Sequence, residues 1–531
     1  MARIPSECEV VVVGGGPVGL TMAALLGSHG VRTLLVDRKR ATSTHPRGFG
    51  VHPRTMEVFR RLGVADAIRA AGLPPQEAAG FGFVTRMNGQ ERARLMLEPM
   101  PDHVGPEQGC FCPQHRYEPL LRQQAESQVS VCVAFDAEAT GVEIGDDVAQ
   151  VRIRDTRTDT MTTVGCRYLV VADGMHSPVR AMLGGTETGT GAFGHSVSAY
   201  VRADLSGLRA GRPFALTWTV DPSAEGTFGI AAADACEWTF TFAGDPARDY
   251  AETELAERVR AAVGDPGLAV EVLDVLRWDY EQAVTDRWRV GPALLCGDAA
   301  HRFPPHGGFG MNSGVQDAEN LAWKLAAVLR WGAGEGLLDS YESERKPVAI
   351  YNGERAVINT ERLKGACWDP DVAAASLEDQ HEHFLSLGQQ MGATYRSTAV
   401  LDDGTPMPAS TVTHYDESGR PGARAPHLTL EDAVGRRTSS LDACAGGFAL
   451  LTGDPQVTSS EQGLVPLTVV GLGPTGSHRS VDRPWHEVYG VPPSGAVLIR
   501  PDGHVVARFQ DLTGDPVPEA LGAVLGRVAP G

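Results

Sequence analysis

The stretch Leu295–Leu325, LCGDAAHRFPPHGGFGMNSGVQDAENLAWKL, decides the fold. It reads as a strand end, a turn, a Gly/Pro-rich loop and a long helix. Leu294, Leu295 and Cys296 are the last buried strand residues. Gly297 permits a tight exit and leaves Asp298 at the strand's carboxyl end, where open α/β sheets bind ligands. Pro304 and Pro305 stiffen the loop. Gly307, Gly308 and Gly310 remove side chains where backbone must approach something flat or charged. A helix is expected from about Asn312 and Ser313, with its free N–H groups facing the same ligand.

Two further motifs lie upstream. Residues Cys8 to Val13 form a short apolar strand, followed by Gly14-Gly15-Gly16-Pro17-Val18-Gly19 and the apolar helix Leu20 to Ser28. A second strand, Arg32 to Val36, ends in Asp37 and Arg38. This is G-x-G-x-x-G in its βαβ context with an acidic residue closing the second strand. Gly14 makes the turn, Gly16 lets a pyrophosphate approach, Gly19 lets the helix pack, and Asp37 can accept ribose hydrogen bonds. Alone the fingerprint does not separate FAD from NAD. The other motif is the buried strand Tyr168 to Ala172 with Asp173-Gly174-Met175-His176-Ser177-Pro178-Val179-Arg180 after it. Arg180 offers a fork for a phosphate or for Asp173 itself.

The three motifs, in this order over residues 14 to 314, resemble the single-component (group A) FAD aromatic hydroxylases of the para-hydroxybenzoate hydroxylase fold. Within that family the similarity is to the branch that oxidises phenols and aromatic polyketides. The resemblance implies non-covalent FAD, held through the Gly14 to Gly19 turn with Pro17 and Val18, and through Asp37, Arg38 and Asp173. It implies that Asp298 binds the ribityl chain and that Pro305 lies beside the reactive flavin edge. Gly308 and the backbone amides of Gly310, Met311 and Asn312 would meet the pyrimidine end, where a helix N-terminus favours negative charge by about 0.3–1 kcal/mol. Arg47, in Pro46-Arg47-Gly48-Phe49-Gly50, matches an arginine over the pyrophosphate or near a moving flavin. Gln114 matches a glutamine near the adenine-side phosphates or ribityl chain. Some relatives place a carboxylate before the glycine matching Gly50, to take a phenol proton. Here that position is Phe49.

The implied fold is mixed α/β in three parts. Residues 1–190 and 281–398 would form the FAD-binding Rossmann-like domain, including long C-terminal helices. Residues 191–280 would form an antiparallel substrate sheet. Residues 399–531 would be a linker and a thioredoxin-like domain. In the middle part, Thr217-Trp218-Thr219, Thr227-Phe228-Gly229-Ile230 and Trp238 to Phe242 alternate with period two. Trp218, Phe228 and Phe240, with Gly307, are the candidate contacts of a flat aromatic substrate. In the last part, strands are expected at Phe448 to Leu451 and Leu464 to Val470. A hairpin is expected from Ala496 to Val505, around Pro501-Asp502-Gly503. Its sole cysteine is Cys444, so no C-x-x-C redox pair is present.

Composition excludes other classes. The chain has 531 residues, too many for one core, and a net charge of −19, which argues against nucleic acid as a partner. No apolar run of ~18 residues suggests a membrane span, and the start lacks the pattern of a signal peptide, so a cytoplasmic protein is expected. The nine cysteines lack zinc-site spacing, and no metal is expected. The implied function is an NAD(P)H- and FAD-dependent monooxygenase that hydroxylates a polycyclic phenol or quinone with O₂ through a flavin C4a-hydroperoxide. Its oligomeric state would be monomer or homodimer. Baeyer–Villiger or epoxidising oxygenation on the same scaffold is the alternative enzyme reading, and a non-catalytic flavin-binding protein the alternative of another class. His52 and His306 are the candidate bases, with Pro305 the third catalytic candidate. His301 is expected to be structural, and the helix carrying Tyr341-Glu342-Ser343-Glu344-Arg345-Lys346-Pro347 to serve packing.

Overall fold

The computed structural model describes residues 4–454, 465–473 and 475–526. The first sheet is built on a parallel run. Strand Met161–Val171 lies between Glu7–Val13 and Ala293–Leu295, and Thr33–Val36 and Val131–Ala134 extend it beyond Glu7–Val13. Its strands are runs of Val and Leu because helices cover both faces. Val10, Val11, Val12, Leu34, Leu35, Val170 and Leu294 have no solvent exposure. The carboxyl ends of the three central strands carry the three motifs side by side.

Packing of glycines locks these motifs together. Gly14 sits at φ +114°, and a Cβ there would lie 2.1 Å from the Ala172 carbonyl oxygen, just before Asp173. At Gly19 a Cβ would lie 1.8 Å from the Gly14 oxygen. Cβ atoms at Gly297 and Gly314 would press on Val18 at 3.0 and 2.6 Å. Each close approach needs the missing side chain.

The second sheet is mostly antiparallel. Its order is His301–Arg302, Glu271–Thr285, Glu187–Arg202, Glu237–Ala243, Gly226–Ile230, Phe214–Thr219, Gly80–Val84 and Glu91–Met96. It exceeds the expected 191–280 segment at both ends and recruits two strands from before it. One of these, Gly80–Val84, pairs in parallel with Phe214–Thr219. Strand pairing across more than a hundred residues leaves no local signature. The edge strand is His301–Arg302, directly after Asp298. The decisive stretch therefore leaves one sheet and enters the other.

The helix after the loop begins at Phe309 and runs to Arg330, three residues earlier than expected. Gly307 and Gly308 adopt φ +106° and +71° and complete the turn, so the first helical turn is Phe309-Gly310-Met311.

The third sheet has the order Leu467–Gly471, Phe448–Thr452, Ala496–Ile499, Val505–Phe509, a parallel pair extended by an antiparallel hairpin. Leu464, part of one expected strand, lies outside the described residues. Cys444 is fully buried, and burial pushes its thiol up to about 12, which withholds the thiolate. The hairpin turn is not a surface feature. Arg500 and Asp502 are buried and reach Glu344 and the long helix. Arg500 donates to both Glu344 oxygens at 2.7 Å, Lys324 donates to Glu344 at 2.8 Å, and Trp323 Nε1 donates to Asp502 at 3.2 Å.

Burial opposes the Glu344 charge, but Arg500 and Lys324 hold its carboxyl below the ordinary glutamate range. A depressed carboxyl stabilises the fold at pH values above its unfolded pKa and loses that contribution as the pH falls through its folded value. Glu344→Gln is expected to lower stability by about 3–5 kcal/mol near neutrality, because it leaves Asp502 to balance the buried Arg500 and Lys324 cations. In urea titrations, the gap between variant and wild type should narrow as the pH drops below ~4.5.

Candidate functional site

The crevice at the carboxyl ends of the parallel strands is lined by groups suited to a dinucleotide. Helix Pro17–Ser28 starts there with Gly16 at its N-cap and Pro17 in its first turn, so its free amides face the crevice. Asp37 closes the neighbouring strand. Its carboxylate accepts from the Gly15 N–H at 2.6 Å and the Lys39 N–H at 2.7 Å, which shapes the glycine turn and leaves lone pairs for a ribose. Arg38 beside it is exposed.

Arg47 and Gln114 come together: Arg47 Nε donates to Gln114 Oε1 at 3.0 Å. Gln114 in turn donates to Glu118 at 2.8 Å, and Glu118 accepts from the Ser43 N–H. Glu118 was not singled out from sequence. Burial raises its carboxyl pKa, and it is the nearest group to a Cβ built on Gly16, at 3.9 Å. Its i,i+4 spacing from Gln114 was the available signal.

Asp173 folds inward. It accepts from the Ser177 hydroxyl and the Val179 N–H, and so holds its own turn. Arg180 pairs with neither Asp173 nor an open site. It donates to the carbonyls of Ala299 and Met175 and lies 3.2 Å from Glu187. The reason is geometric: the following short helix points Arg180 at the Asp298-bearing turn, whose backbone carbonyl it satisfies.

Asp298 stands in the Gly297–Ala299 turn with its side chain open to the crevice. Enough protein surrounds it for desolvation to raise its pKa, while His301 and Arg47 act in the opposite direction. The 303–308 loop follows. Pro305 is exposed, and its carbonyl accepts from the Gly308 N–H at 2.9 Å. Helix geometry leaves the N–H groups of Phe309, Gly310 and Met311 without intrahelical acceptors. A Cβ on Gly310 would meet no atom within 4 Å, so this helix end opens on space. These residues fit an FAD: a helix end for the pyrophosphate, a carboxylate for the ribose, Asp298 for the ribityl hydroxyls and free amides for the pyrimidine.

The Asn312 side chain clamps two loops instead of facing a ligand. It donates to the Gly50 and Gly308 carbonyls at 2.9 and 2.6 Å and accepts from the His52 N–H at 2.9 Å. His52 Nε2 donates to the Gly307 carbonyl at 3.1 Å, and burial lowers its pKa to about 4. It is a neutral loop pin. His306 donates through Nδ1 to Thr360, stacks on Tyr280 at 5.6 Å and 5°, and is also lowered by burial to about 4.

The substrate sheet has two unlike faces. Phe228, Trp238, Phe240 and Phe242 pack with Leu255 and Val259 of helix Glu252–Val263 in a closed core. Phe228 and Phe240 are therefore not contacts for a ligand, contrary to the sequence expectation. Burying each contributes about 1.5–3 kcal/mol, and the amphipathic helix claims that face. Trp218 is on the opposite face and partly exposed. Register places Trp218 opposite Phe83 and Thr227, and Thr241 opposite Thr227 and Ser198. Ser196 lies opposite Trp278, and its hydroxyl donates to Tyr280 at 3.0 Å. The result is a row of small hydroxyl residues between two aromatic walls, a floor half-buried at Thr227 and Thr241 and buried at Ser198 and Ser196. The same face meets the flavin-side loops: a Cβ on Gly229 would lie 3.1 Å from Phe49, and His306 rests on Tyr280. Gly307 lies in the loop between His306 and the long helix, and its carbonyl is the one His52 holds.

One wall includes residues that no motif announced. Phe83 is sandwiched between Trp218 and Trp368, with centroids at 5.1 and 3.8 Å. Phe384 stacks on Phe81 at 4.5 Å and carries His383 at 4.1 Å on its other side.

Known proteins share this arrangement. The chain matches the model of an FAD binding domain over residues 7–356 and that of the aromatic-ring hydroxylase C-terminal domain over residues 418–528. It is 36% identical to a putative polyketide hydroxylase of Streptomyces halstedii, over 97% of this chain and 94% of that one. It is 34% identical to tetracenomycin A2 monooxygenase-dioxygenase of Streptomyces glaucescens, over 98% of each. Among solved structures, the flavin-dependent monooxygenase PieE in complex with FAD and substrate superposes with a TM-score of 0.91 at 32% identity, covering 99% of this chain and 100% of that chain. A Gly310→Ala change should fold as wild type, since its methyl has room, yet weaken FAD at least tenfold in fluorescence titrations of the apoprotein. Asp298→Ala should weaken FAD comparably by the same titration, and unchanged affinity in both would remove the assignment of this crevice. With both of its domains matched and relatives above 30% identity along nearly its whole length, the chain belongs to the FAD-dependent aromatic-ring hydroxylases, flavoprotein monooxygenases.

Proposed function

We propose that this enzyme uses NAD(P)H and O₂ to hydroxylate a polycyclic phenol or quinone laid flat on the hydroxyl floor of the substrate sheet. The observation that carries the reading is that floor. Half-buried Thr227 and Thr241 face the space beside the Trp218 wall, and the buried Ser198 and Ser196 continue the row of hydroxyls to the Trp278–Tyr280 wall, three strands in all. Four strand spacings separate the wall strands, about 19 Å. A single ring touches one wall at a time, whereas a fused ring system engages both. The relatives' names support the substrate class, with one single-ring exception: a 4-methyl-5-nitrocatechol 5-monooxygenase of Burkholderia sp. is 35% identical. The structure of an aklavinone-11 hydroxylase with FAD and aklavinone, TM-score 0.85, supports the fused-ring reading.

Bound FAD, reduced by the nicotinamide, supplies the oxygen chemistry. The protein's residues position and shield. Asp298 and the Gly14–Gly19 turn hold the cofactor. The amides of Gly310 and Met311 favour negative charge at the pyrimidine end. Pro305 and the two-glycine turn bring backbone close to the reacting edge without a competing side chain. The stacked walls of Phe83, Trp368, Phe384 and Tyr280 keep water from the reacting atoms. His52 and Asn312 fix the loop that bears Phe49 against the loop that bears Pro305.

Turnover under ¹⁸O₂ with NADPH or NADH and a panel of fused-ring and single-ring phenols tests the proposal. One ¹⁸O atom in a ring-hydroxylated fused-ring product is the expected outcome, and ring insertion would redirect it to Baeyer–Villiger chemistry. Trp218→Ala is expected to raise KM for fused-ring substrates about tenfold and to leave single-ring KM within twofold. An equal effect on both would remove the two-wall argument.

A further inference from the structure

Two histidines meet where the aromatic walls converge. His306 belongs to the flavin-side loop and stacks on Tyr280. His383 lies on the separate segment after the long helix Asp339–Gly365 and stacks on Phe384, hence on the Phe81 and Phe83 wall. Their rings stand edge to face at 5.6 Å, with an interplanar angle of 80°.

Their tautomers follow from their partners. The Thr360 hydroxyl donates to the Ala356 carbonyl at 2.8 Å, so it accepts from His306 Nδ1, also at 2.8 Å. His306 Nε2 then carries a lone pair. Gln380 Oε1 accepts from His383 Nδ1 at 3.3 Å, so His383 Nε2 carries one too. Neither Nε2 hydrogen-bonds a described residue. Neither is among the fully enclosed polar atoms that lack partners, so both open on accessible space.

We propose that His383 accepts a hydrogen bond from an O–H group at the edge of the substrate, with His306 beside it as a second acceptor, a clamp that holds the hydroxylated ring against the Pro305 loop. The assignment rests on the reading of floor and walls as the substrate chamber. An imidazole lone pair here is complementary to a donor and disfavours a carbonyl or an ether oxygen. Burial keeps both rings neutral, aided at His306 by the ammonium of Lys364. Lys364 lies 5.3 Å over Tyr280. The clamp therefore accepts a hydrogen bond and leaves the proton on the substrate. It orients the ring that will be oxygenated and selects a free hydroxyl over its methyl ether.

The test uses the FAD-loaded enzyme with 2,6-dihydroxyanthraquinone and 2,6-dimethoxyanthraquinone as probes, whose oxygens lie too far from the ring carbonyls to hydrogen-bond internally, and reads binding from the flavin absorbance change. Wild type is expected to prefer the dihydroxy probe by about tenfold, the worth of a lost acceptor. His383→Phe, which keeps the stack on Phe384, should bring that preference close to unity with the dimethoxy Kd within twofold of wild type. His383→Gln, which can return an acceptor, should recover part of the preference. FAD content and melting temperature are checked in each variant, because a structural role alone would weaken both probes together. An undiminished preference in His383→Phe, or equal binding of the probes by wild type, would overturn the clamp. If neither probe perturbs the wild-type flavin, the chamber reading falls and the clamp with it. Labelled turnover that persists in such a case would leave the monooxygenase assignment standing.

Discussion

One buried carboxylate holds the flavin side of the molecule together. Asp317, two turns into the helix Phe309–Arg330, accepts from His301 Nε2 at 2.6 Å, from Arg345 Nε at 2.7 Å and more weakly from the Gly297 N–H at 3.3 Å. Burial opposes its charge, but His301 and Arg345 hold the carboxyl below its ordinary range. Through His301 it fixes the turn that presents Asp298. Through its own helix it fixes the amides at Gly310 and Met311. Arg345 continues to the Ser313 carbonyl and to the Tyr395 hydroxyl. The turn that presents Asp298 and the helix start at Gly310 and Met311 thus share one anchor. The loop between them can stay rich in glycine and proline without losing its place.

The neighbouring residue in sequence extends this order to the far domain. Glu344 faces Arg500 and Lys324, while Arg345 faces Asp317. A second buried ionic cluster joins Arg54, Glu57 and Glu319 to Arg424 of the C-terminal part. Buried ion pairs are weak as net stabilisers, because desolvation cancels most of the attraction. They are strict about geometry, since a misplaced partner leaves a bare charge. Two such clusters therefore define the seat of the C-terminal domain more than they strengthen it. That seat lies against the back of the helix whose N-terminus opens on the candidate FAD crevice. The helix called a packing element on sequence grounds is the joint between the two.

Much of this was legible in the chain, and the remainder was hidden for identifiable reasons. The three motifs were visible because each needs particular residues at fixed spacing: glycines that backbone crosses, and carboxylates at strand ends. The alternation Thr227-Phe228-Gly229 revealed two faces of a strand. It did not say which face a helix would claim, so Phe228 and Phe240 were grouped with Trp218 although only Trp218 lies on the open face. The missing signal was the apolar stripe Leu255, Val259, Ala262 and Val263, which needed a partner and found Phe228 and Phe240. Strand Gly80–Val84 was invisible as a sheet neighbour because its partner is more than a hundred residues away. His383 had no motif at all, since its value comes from meeting His306 in space. Arg180 was read as a fork for a phosphate or for Asp173, but turn carbonyls took it.

The chemistry demanded of the site explains its unusual economy of charge. A helix N-terminus supplies partial positive charge without a side chain, so nothing needs desolvating when a flat cofactor covers it. A lysine in the same place would cost several kcal/mol to bury. The histidines follow the same rule, since burial holds His52 and His306 near 4 and keeps them neutral at physiological pH. The charged Lys364 is kept at the edge, over the faces of Tyr280 and Phe193, where ring electrons offset part of its charge. The proposed chamber is thereby lined with dipoles, hydroxyls and aromatic faces. Such a lining can orient a flat polar molecule firmly and still exclude the water that ionised groups would draw in with them.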